Sequence, residues 1–158
     1  MVELDIKIKS GDLFDYMMRH QYYSANGIIA NCLGAAAVVA GFMTQQWIFL
    51  ILGVMLLLYL PFTLFSKSKQ QAILNPTFQN PLHYILDETG ITVSQGEVSE
   101  HQDWEQMVKA VSTARSIIVY TSKINATIFP RTQMGEKTNY VIEMISKHMP
   151  PEKVKIKY

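Results

Sequence analysis

His101, Asp103 and Glu105 are the side chains whose types and spacing could bind a metal ion or transfer a proton. They stand at alternate positions, and alternate residues of a strand share one face of the sheet. A group of this kind could ligate a metal or titrate as a unit. A solvent-exposed polar strand face has the same pattern and is the more common occurrence. We favour that second interpretation.

The other histidines, His20, His83 and His148, complete no catalytic or metal-binding motif. The sequence has no HExxH, no Cys/His pair at zinc spacing, no G-x-S-x-G and no phosphate-binding loop. Cys32 is the only cysteine, so no disulfide can form within the chain. We therefore expect a protein that is not an enzyme, with no catalytic residue, no metal ligand and no cofactor.

Positive charge is concentrated toward the C-terminus. The basic residues there are Arg131, Lys137, Lys147, Lys153, Lys155 and Lys157. Facing a membrane, they could bind anionic lipid headgroups at roughly 1 kcal/mol per residue. Facing away from it, they would only keep a domain soluble, and the sequence leaves both interpretations open. The net charge of the whole chain is only +1, which argues against a nucleic-acid partner because phosphate binding needs a basic surface.

Two apolar stretches occupy the first half of the chain, at residues 25–43 and 47–65. Neither contains Asp, Glu, Lys, Arg or His. A helix of about 19 residues rises about 28 Å, close to the roughly 30 Å of a bilayer's hydrocarbon core. Buried core helices of a soluble protein are the alternative, but such helices rarely lack charge over this length. The pattern predicts a transmembrane helical hairpin over residues 25–65, with the lipid bilayer as its partner.

One face of the first predicted span carries small residues at three- and four-residue spacing: Gly27, Ala30, Gly34, Ala37 and Gly41. Small residues let a second helix approach closely, which is how helices pack in lipid. That second helix is either the other span or a helix from another copy of the chain. Asn31 in the same span is interpreted as a polar contact between helices.

The flanking charges predict the orientation of the hairpin. Arg19 precedes the first span, Lys67 and Lys69 follow the second, and the connecting loop has no positive charge. Because positive charge is retained on the cytoplasmic side, we expect both termini in the cytoplasm.

The rest of the chain divides into three parts. Residues 1–24 predict a strand, which could pair with an edge of the C-terminal domain, and a juxtamembrane helix that either continues into the first span or lies along the membrane surface. Residues 66–81 contain two Asn-Pro pairs and predict a linker. Residues 82–158 contain short strand patterns and a closing helix. The expected fold is α+β, a membrane hairpin followed by a small β-roll or barrel capped by a C-terminal helix.

This order of elements resembles the YcxB-like proteins of bacteria. The most specific matching residues are Trp104, which we interpret as a core anchor, and Phe129-Pro130, which end a hydrophobic strand. The resemblance implies a pleckstrin-homology-like (PH-like) C-terminal domain and a multi-pass protein of the bacterial inner membrane. It implies no particular activity.

Two classes of function follow from these observations. The first is a membrane-anchored, non-enzymatic protein whose cytoplasmic PH-like domain binds a protein partner or a lipid headgroup. The alternative assigns the function to the hairpin, as a homo-oligomer, as an accessory subunit of a transporter or as an immunity protein that shields the membrane. The sequence leaves the ligand and the oligomeric state open.

Overall fold

The computed structural model describes residues 1–122 and 125–157. Its helices are α1 Ser10–Tyr22, α2 Ala25–Thr44, α3 Trp47–Leu74, α4 Pro76–Gln79, α5 Arg131–Met134 and α6 Thr138–His148. Its strands are β1 Val2–Ile6, β2 Leu82–Leu86, β3 Gly90–Gln95, β4 Val98–Asp103, β5 Lys109–Ser112, β6 Ser116–Tyr120, β7 Ala126–Pro130 and β8 Val154–Lys155. Short 3₁₀ turns occupy Trp104–Gln106, Gly135–Lys137 and Pro151–Lys153.

The strands form two small sheets. The first has the order β1-β2-β3-β4 and is antiparallel throughout. The second has the order β7-β6-β5-β8, and β8 runs parallel to β5. The α+β class is therefore confirmed, with two sheets and two long apolar helices. Strand β8 is not predicted by the sequence, because a two-residue strand in a Lys-rich tail has too few alternations to form a recognisable pattern.

The N-terminal strand joins the C-terminal domain, as predicted. Strand β1 pairs with β2 over the full register from Val2 opposite Leu86 to Ile6 opposite Leu82. Leu4 and Ile6 are buried between exposed charged residues. The period-two alternation therefore places one face of β1 against the core.

Truncation of Ile6 tests whether β1 is a structural part of the domain. Ile6 is fully buried, so Ile6→Ala is expected to lower the free energy of unfolding of the domain by about 2–5 kcal/mol. Chemical denaturation of the full chain in detergent measures this change. Glu3→Ala, on the exposed face of the same strand, is the control. Equal stability of the two variants would show that β1 does not pack on the domain.

The core lies between the sheets and α6. Val141, Ile142 and Ile145 form the buried face of α6, and they belong to the same hydrophobic cluster as Trp104 and Phe129. Their spacing of one, three and four residues is that of one helix face. The closing helix therefore completes the hydrophobic core of the domain.

Helices α2 and α3 pack against each other and leave most of their surface uncovered. Their length and composition would allow both to cross a membrane. Helix α3 runs on past the apolar residues to Leu74, so most of the predicted linker at 66–81 is helical. The helix ends there because Asn75 precedes Pro76, and a residue before proline is disfavoured in the helical conformation.

Helix α1 connects the hairpin to the domain. It ends at Tyr22, and the Ser24 hydroxyl accepts a hydrogen bond from the N–H of Gly27 (3.1 Å), which starts α2 as a separate helix. The prediction that the juxtamembrane helix continues into the first span is therefore wrong. One side of α1 contacts α3, where the rings of Phe14 and Phe65 are 5.8 Å apart. The other side contacts β6, which fixes the domain against the hairpin.

Candidate functional site

Two neighbouring clefts lie where α1 ends and α2 begins. The first has a volume of about 450 Å³, and its polar lining includes Arg19 and His20 of α1 and Tyr120 of β6. Lys109 of β5 and two residues of the C-terminal tail, Lys153 and Lys155, complete its basic lining. The first cleft is thus built from three separate parts of the chain.

The second cleft has a volume of about 660 Å³ and adjoins the first. It is lined by Arg131, Lys157, Ser112 and Thr113, while Arg19, Tyr23 and Lys155 line both clefts. The two clefts therefore share a border formed by these three residues.

Six cations surround these clefts, and we call them the cationic cluster. They are Arg19, Lys109, Arg131, Lys153, Lys155 and Lys157. Within residues 1–122 and 125–157, none of the six forms an ion pair with a carboxylate. Glu152 is the one acidic side chain that lines either cleft in that part of the chain. The local field therefore favours anions.

Several of these cations are held by neutral groups. The Arg131 guanidinium donates a hydrogen bond to the carbonyl oxygen of Lys157 at 2.7 Å, and the Lys153 ammonium donates to the carbonyl oxygen of Met107 at 3.2 Å. The Arg19 guanidinium lies 4.2 Å from the centre of the Tyr23 ring. Such contacts orient a cation without neutralising it.

Tyr120 adds a hydroxyl to the first cleft. Burial raises the pKa of Tyr120 to about 12, Tyr16 adds to the rise, and Arg19 opposes it. The hydroxyl therefore remains protonated well above neutral pH. The Lys109 ammonium lies 4.5 Å from the centre of the same ring.

The first cleft lies beside the start of the apolar helix α2. Ser24 lines this cleft and is also the residue that caps α2. The apolar helix starts at the next residue, Ala25. If α2 crosses a membrane, the cationic cluster therefore lies at the level of the lipid headgroups.

The structure brings together four of the six predicted basic residues, Arg131, Lys153, Lys155 and Lys157. The other two lie elsewhere in the domain. The Lys137 ammonium donates a hydrogen bond to the carbonyl oxygen of Glu3 (2.8 Å), and Lys147 forms an ion pair with Glu88 (2.9 Å). These two lysines serve as natural controls.

Sequence reasoning missed two members of the cluster, Arg19 and Lys109. Each is far from the basic tail in sequence, and neither belongs to a charged run. The parallel pairing of β5 with β8 places Ala110 opposite Val154, which brings Lys109 close to the tail. The charge of Arg19, already noted for orientation, was the one available signal.

Trp104 lies in the core. Its indole N–H donates a hydrogen bond to the carbonyl oxygen of Asp87 (2.9 Å), and its ring stacks on His148 with centroids 5.4 Å apart. Phe129 is fully buried against Tyr84, with ring centroids 5.2 Å apart. Pro130 is buried at the end of β7.

The predicted face of His101, Asp103 and Glu105 is only partly formed. His101 lies 2.8 Å from the Thr92 hydroxyl and 3.4 Å from the Asp103 carboxylate. Glu105 lies in the 3₁₀ turn after β4, so the expectation that all three share a strand face is wrong. The described residues hold no group of three or more His, Cys, Asp or Glu side chains close enough to bind a metal.

The small-residue stripe faces α3 of the same chain at Gly34 and Gly41, whereas Gly27 at its start faces the turn after α1. Gly27, Gly34 and Gly41 are buried, and a Cβ atom at Gly34 would lie 2.8 Å from the Leu57 side chain. Ala30 and Ala37 are half-buried on the same face.

Asn31 and Gly27 make contacts near the start of α2. The Asn31 amide donates to the carbonyl oxygen of Gly27 in its own helix (2.8 Å). This differs from the predicted contact between helices, because the carbonyl four residues earlier is within local reach. A Cβ atom at Gly27 would overlap the carbonyl of Gln21, so Gly27 permits the close turn from α1 into α2.

Residues 86–145 match the family model described as YcxB-like protein. This part of the chain is YcxB-like. The predicted resemblance is confirmed over this stretch, which extends from the end of β2 into α6 and contains Trp104, Phe129 and Pro130. No curated protein and no solved structure matches the chain. The clefts form where the YcxB-like stretch, with Lys109, Tyr120 and Arg131, meets α1 and the C-terminal tail.

Proposed function

We propose that the protein is a non-enzymatic, multi-pass protein of the bacterial inner membrane whose cytoplasmic domain binds anionic lipid headgroups. The observation that carries this proposal is the position of the cationic cluster beside Ser24, at the start of an apolar helix. Each cation near an anionic membrane surface contributes about 1 kcal/mol of attraction. Six cations that form no ion pair with a carboxylate of the described residues are suited to that surface.

The exposure of the apolar helices supports a membrane location. In an apolar stretch of 18 residues, only 17% of α2 and 11% of α3 is buried inside the chain. A core helix of a soluble protein would be mostly covered, because exposing this much apolar surface to water is unfavourable. Lipid would cover the side chains that the rest of the chain leaves exposed, including Ile28, Leu33, Phe42, Leu52 and Phe62.

The sheet supports placing both ends of the hairpin on one side of the membrane. Strand β1 precedes the hairpin, strand β2 follows it, and the two are hydrogen-bonded neighbours. A single crossing would separate them, whereas two crossings return the chain to the same side. The flanking charges favour the cytoplasmic side.

The arrangement of the domain supports a PH-like assignment. Two antiparallel three-stranded units, β2-β3-β4 and β5-β6-β7, enclose a core that α6 closes. Such folds host many unrelated functions, so lipid binding is inferred from the clefts and not from the fold.

Lipid binding to the purified full chain tests the proposed function. Native mass spectrometry of the delipidated protein in detergent would compare phosphatidylglycerol, which is anionic, with zwitterionic phosphatidylcholine. We expect selective retention of phosphatidylglycerol. Arg19→Gln with Lys155→Gln removes the two cations that line both clefts, and at about 1 kcal/mol each this should weaken binding about 30-fold.

The matched control removes the same charge from another surface. Lys137→Gln with Lys147→Gln should retain the phosphatidylglycerol affinity, because these lysines contact Glu3 and Glu88 instead of the clefts. Equal losses in the two double variants, or no loss in the cleft variant, would contradict the proposed function.

A further inference from the structure

The cationic cluster is divided into two compartments with a common border. Arg19 and Lys155 line both clefts. Lys109 and Lys153 line only the first, and the second has its own pair of cations. The site is thus two anion-binding compartments joined by shared cations.

Each compartment has the donors that one phosphate group needs. In the first, the Lys109 ammonium lies over the Tyr120 ring, and the Lys153 ammonium donates to a backbone carbonyl oxygen. Tyr120 also lines this cleft and carries a hydroxyl. Cationic and hydroxyl donors together satisfy the oxygens of a phosphodiester.

The second compartment is more strongly basic. Arg131 and Lys157 line it with Ser112 and Thr113, and no acidic residue of the described chain lines it. The Thr113 hydroxyl donates to the Asp15 carboxylate behind the cleft, so the donors to a phosphate are the cations and the Ser112 hydroxyl. The guanidinium of Arg131 is anchored to the carbonyl oxygen of Lys157. A planar guanidinium of this kind can donate two hydrogen bonds to one phosphate.

We propose that the site binds a lipid whose headgroup carries two phosphate groups, one in each cleft, with Arg19 and Lys155 between them. This inference rests on the proposed function and specifies its ligand class. A lipid with one phosphate occupies one cleft and leaves the cations of the other without a counter-charge. A headgroup with two linked phosphates occupies both, and the second contact forms at high effective concentration. The acyl chains then extend along α2, which begins beside Ser24.

The decisive comparison uses lipids matched for phosphate. The delipidated full chain in detergent is titrated with cardiolipin, which has two phosphodiesters, or with phosphatidylglycerol, which has one, at equal phosphate concentration. Native mass spectrometry reports the affinity of each. We expect one cardiolipin to bind at least about 10-fold more tightly than phosphatidylglycerol.

Two variants separate the compartments. Lys109→Gln with Lys153→Gln disables the first cleft, and Arg131→Gln with Lys157→Gln disables the second. Each should retain phosphatidylglycerol binding at the remaining cleft and lose the preference for cardiolipin. Lys137→Gln with Lys147→Gln should keep the preference. Unchanged melting temperatures of these variants would show that their folds are intact.

The possible outcomes distinguish this inference from the proposed function. Equal affinity for both lipids in the unmodified chain, or a cardiolipin preference that survives in both cleft variants, overturns the two-phosphate site and leaves anionic lipid binding in place. Failure to bind either lipid overturns both proposals. Inorganic diphosphate is the third probe, and tighter binding of this soluble anion than of cardiolipin would overturn the lipid assignment.

Discussion

Replacing Gly53 by alanine is expected to separate α2 from α3 and to lower the free energy of unfolding of the hairpin by about 2–3 kcal/mol. A Cβ atom at Gly53 would lie 2.7 Å from the backbone nitrogen of Val38 and 2.8 Å from the carbonyl oxygen of Gly34. Both are backbone atoms of α2, so they cannot rotate away as a side chain can. The two helices must move apart or the substitution is not accommodated.

A graded series of variants would identify close packing as the cause. Gly34→Ala should be milder than Gly53→Ala, because its new Cβ atom meets the Leu57 side chain, which can change rotamer. Ala36→Val adds volume on an exposed face of α2 and serves as the control. Unfolding in mixed detergent micelles measures all three, and a Gly53→Ala hairpin as stable as the control would show that the helices do not touch there.

Truncation of Trp104 is expected to have the largest effect within the domain. Trp104→Ala removes a side chain that is 5% exposed and that packs in the main hydrophobic cluster. It also leaves the carbonyl of Asp87 without the indole donor and the ring of His148 without its stacking partner. We expect a loss of about 3–5 kcal/mol in the free energy of unfolding.

The other tryptophan provides the matched control. Trp47 is 76% exposed, so Trp47→Ala should leave the stability of the domain unchanged. Trp104→Phe keeps an aromatic ring but loses the hydrogen bond, and its cost should be smaller, at about 1–3 kcal/mol. Denaturant titration of the full chain compares the three, and similar values for Trp104→Ala and Trp47→Ala would mean that Trp104 does not anchor the core.

The sequence predicted the elements whose signals are local. The charge-free stretches at 25–43 and 47–65 coincide closely with α2 and with the apolar part of α3. The alternation in β1 was equally clear, and its pairing with the C-terminal domain followed because an isolated strand needs a sheet. The segment from Trp104 to Val111 has no clear local period, and it contains a 3₁₀ turn followed by the first residues of β5.

The clefts could not be predicted, because their residues come together only through tertiary structure. Arg19 and Lys109 are separated by the whole hairpin, and the tail joins them through a two-residue parallel strand. The basic residues of the tail therefore predict a region of positive charge, but they do not predict which other residues lie beside it. Lys137 and Lys147 belong to the same stretch of sequence but lie on other surfaces.

The pairing of β1 with β2 also has a consequence for the order of synthesis. Strand β1 leaves the ribosome before β2, whose residues follow about 75 residues later, which at 5–20 residues per second is roughly 4–15 s. During that interval Leu4 and Ile6, both buried in the finished sheet, have no strand to pack with. If α2 and α3 both cross a membrane, as proposed, a chain with only one of them inserted would hold β1 and β2 on opposite sides and leave the edge of β2 unpaired, a state prone to aggregation. If both helices cross a membrane, as proposed, completion of the first sheet therefore requires that both have been inserted.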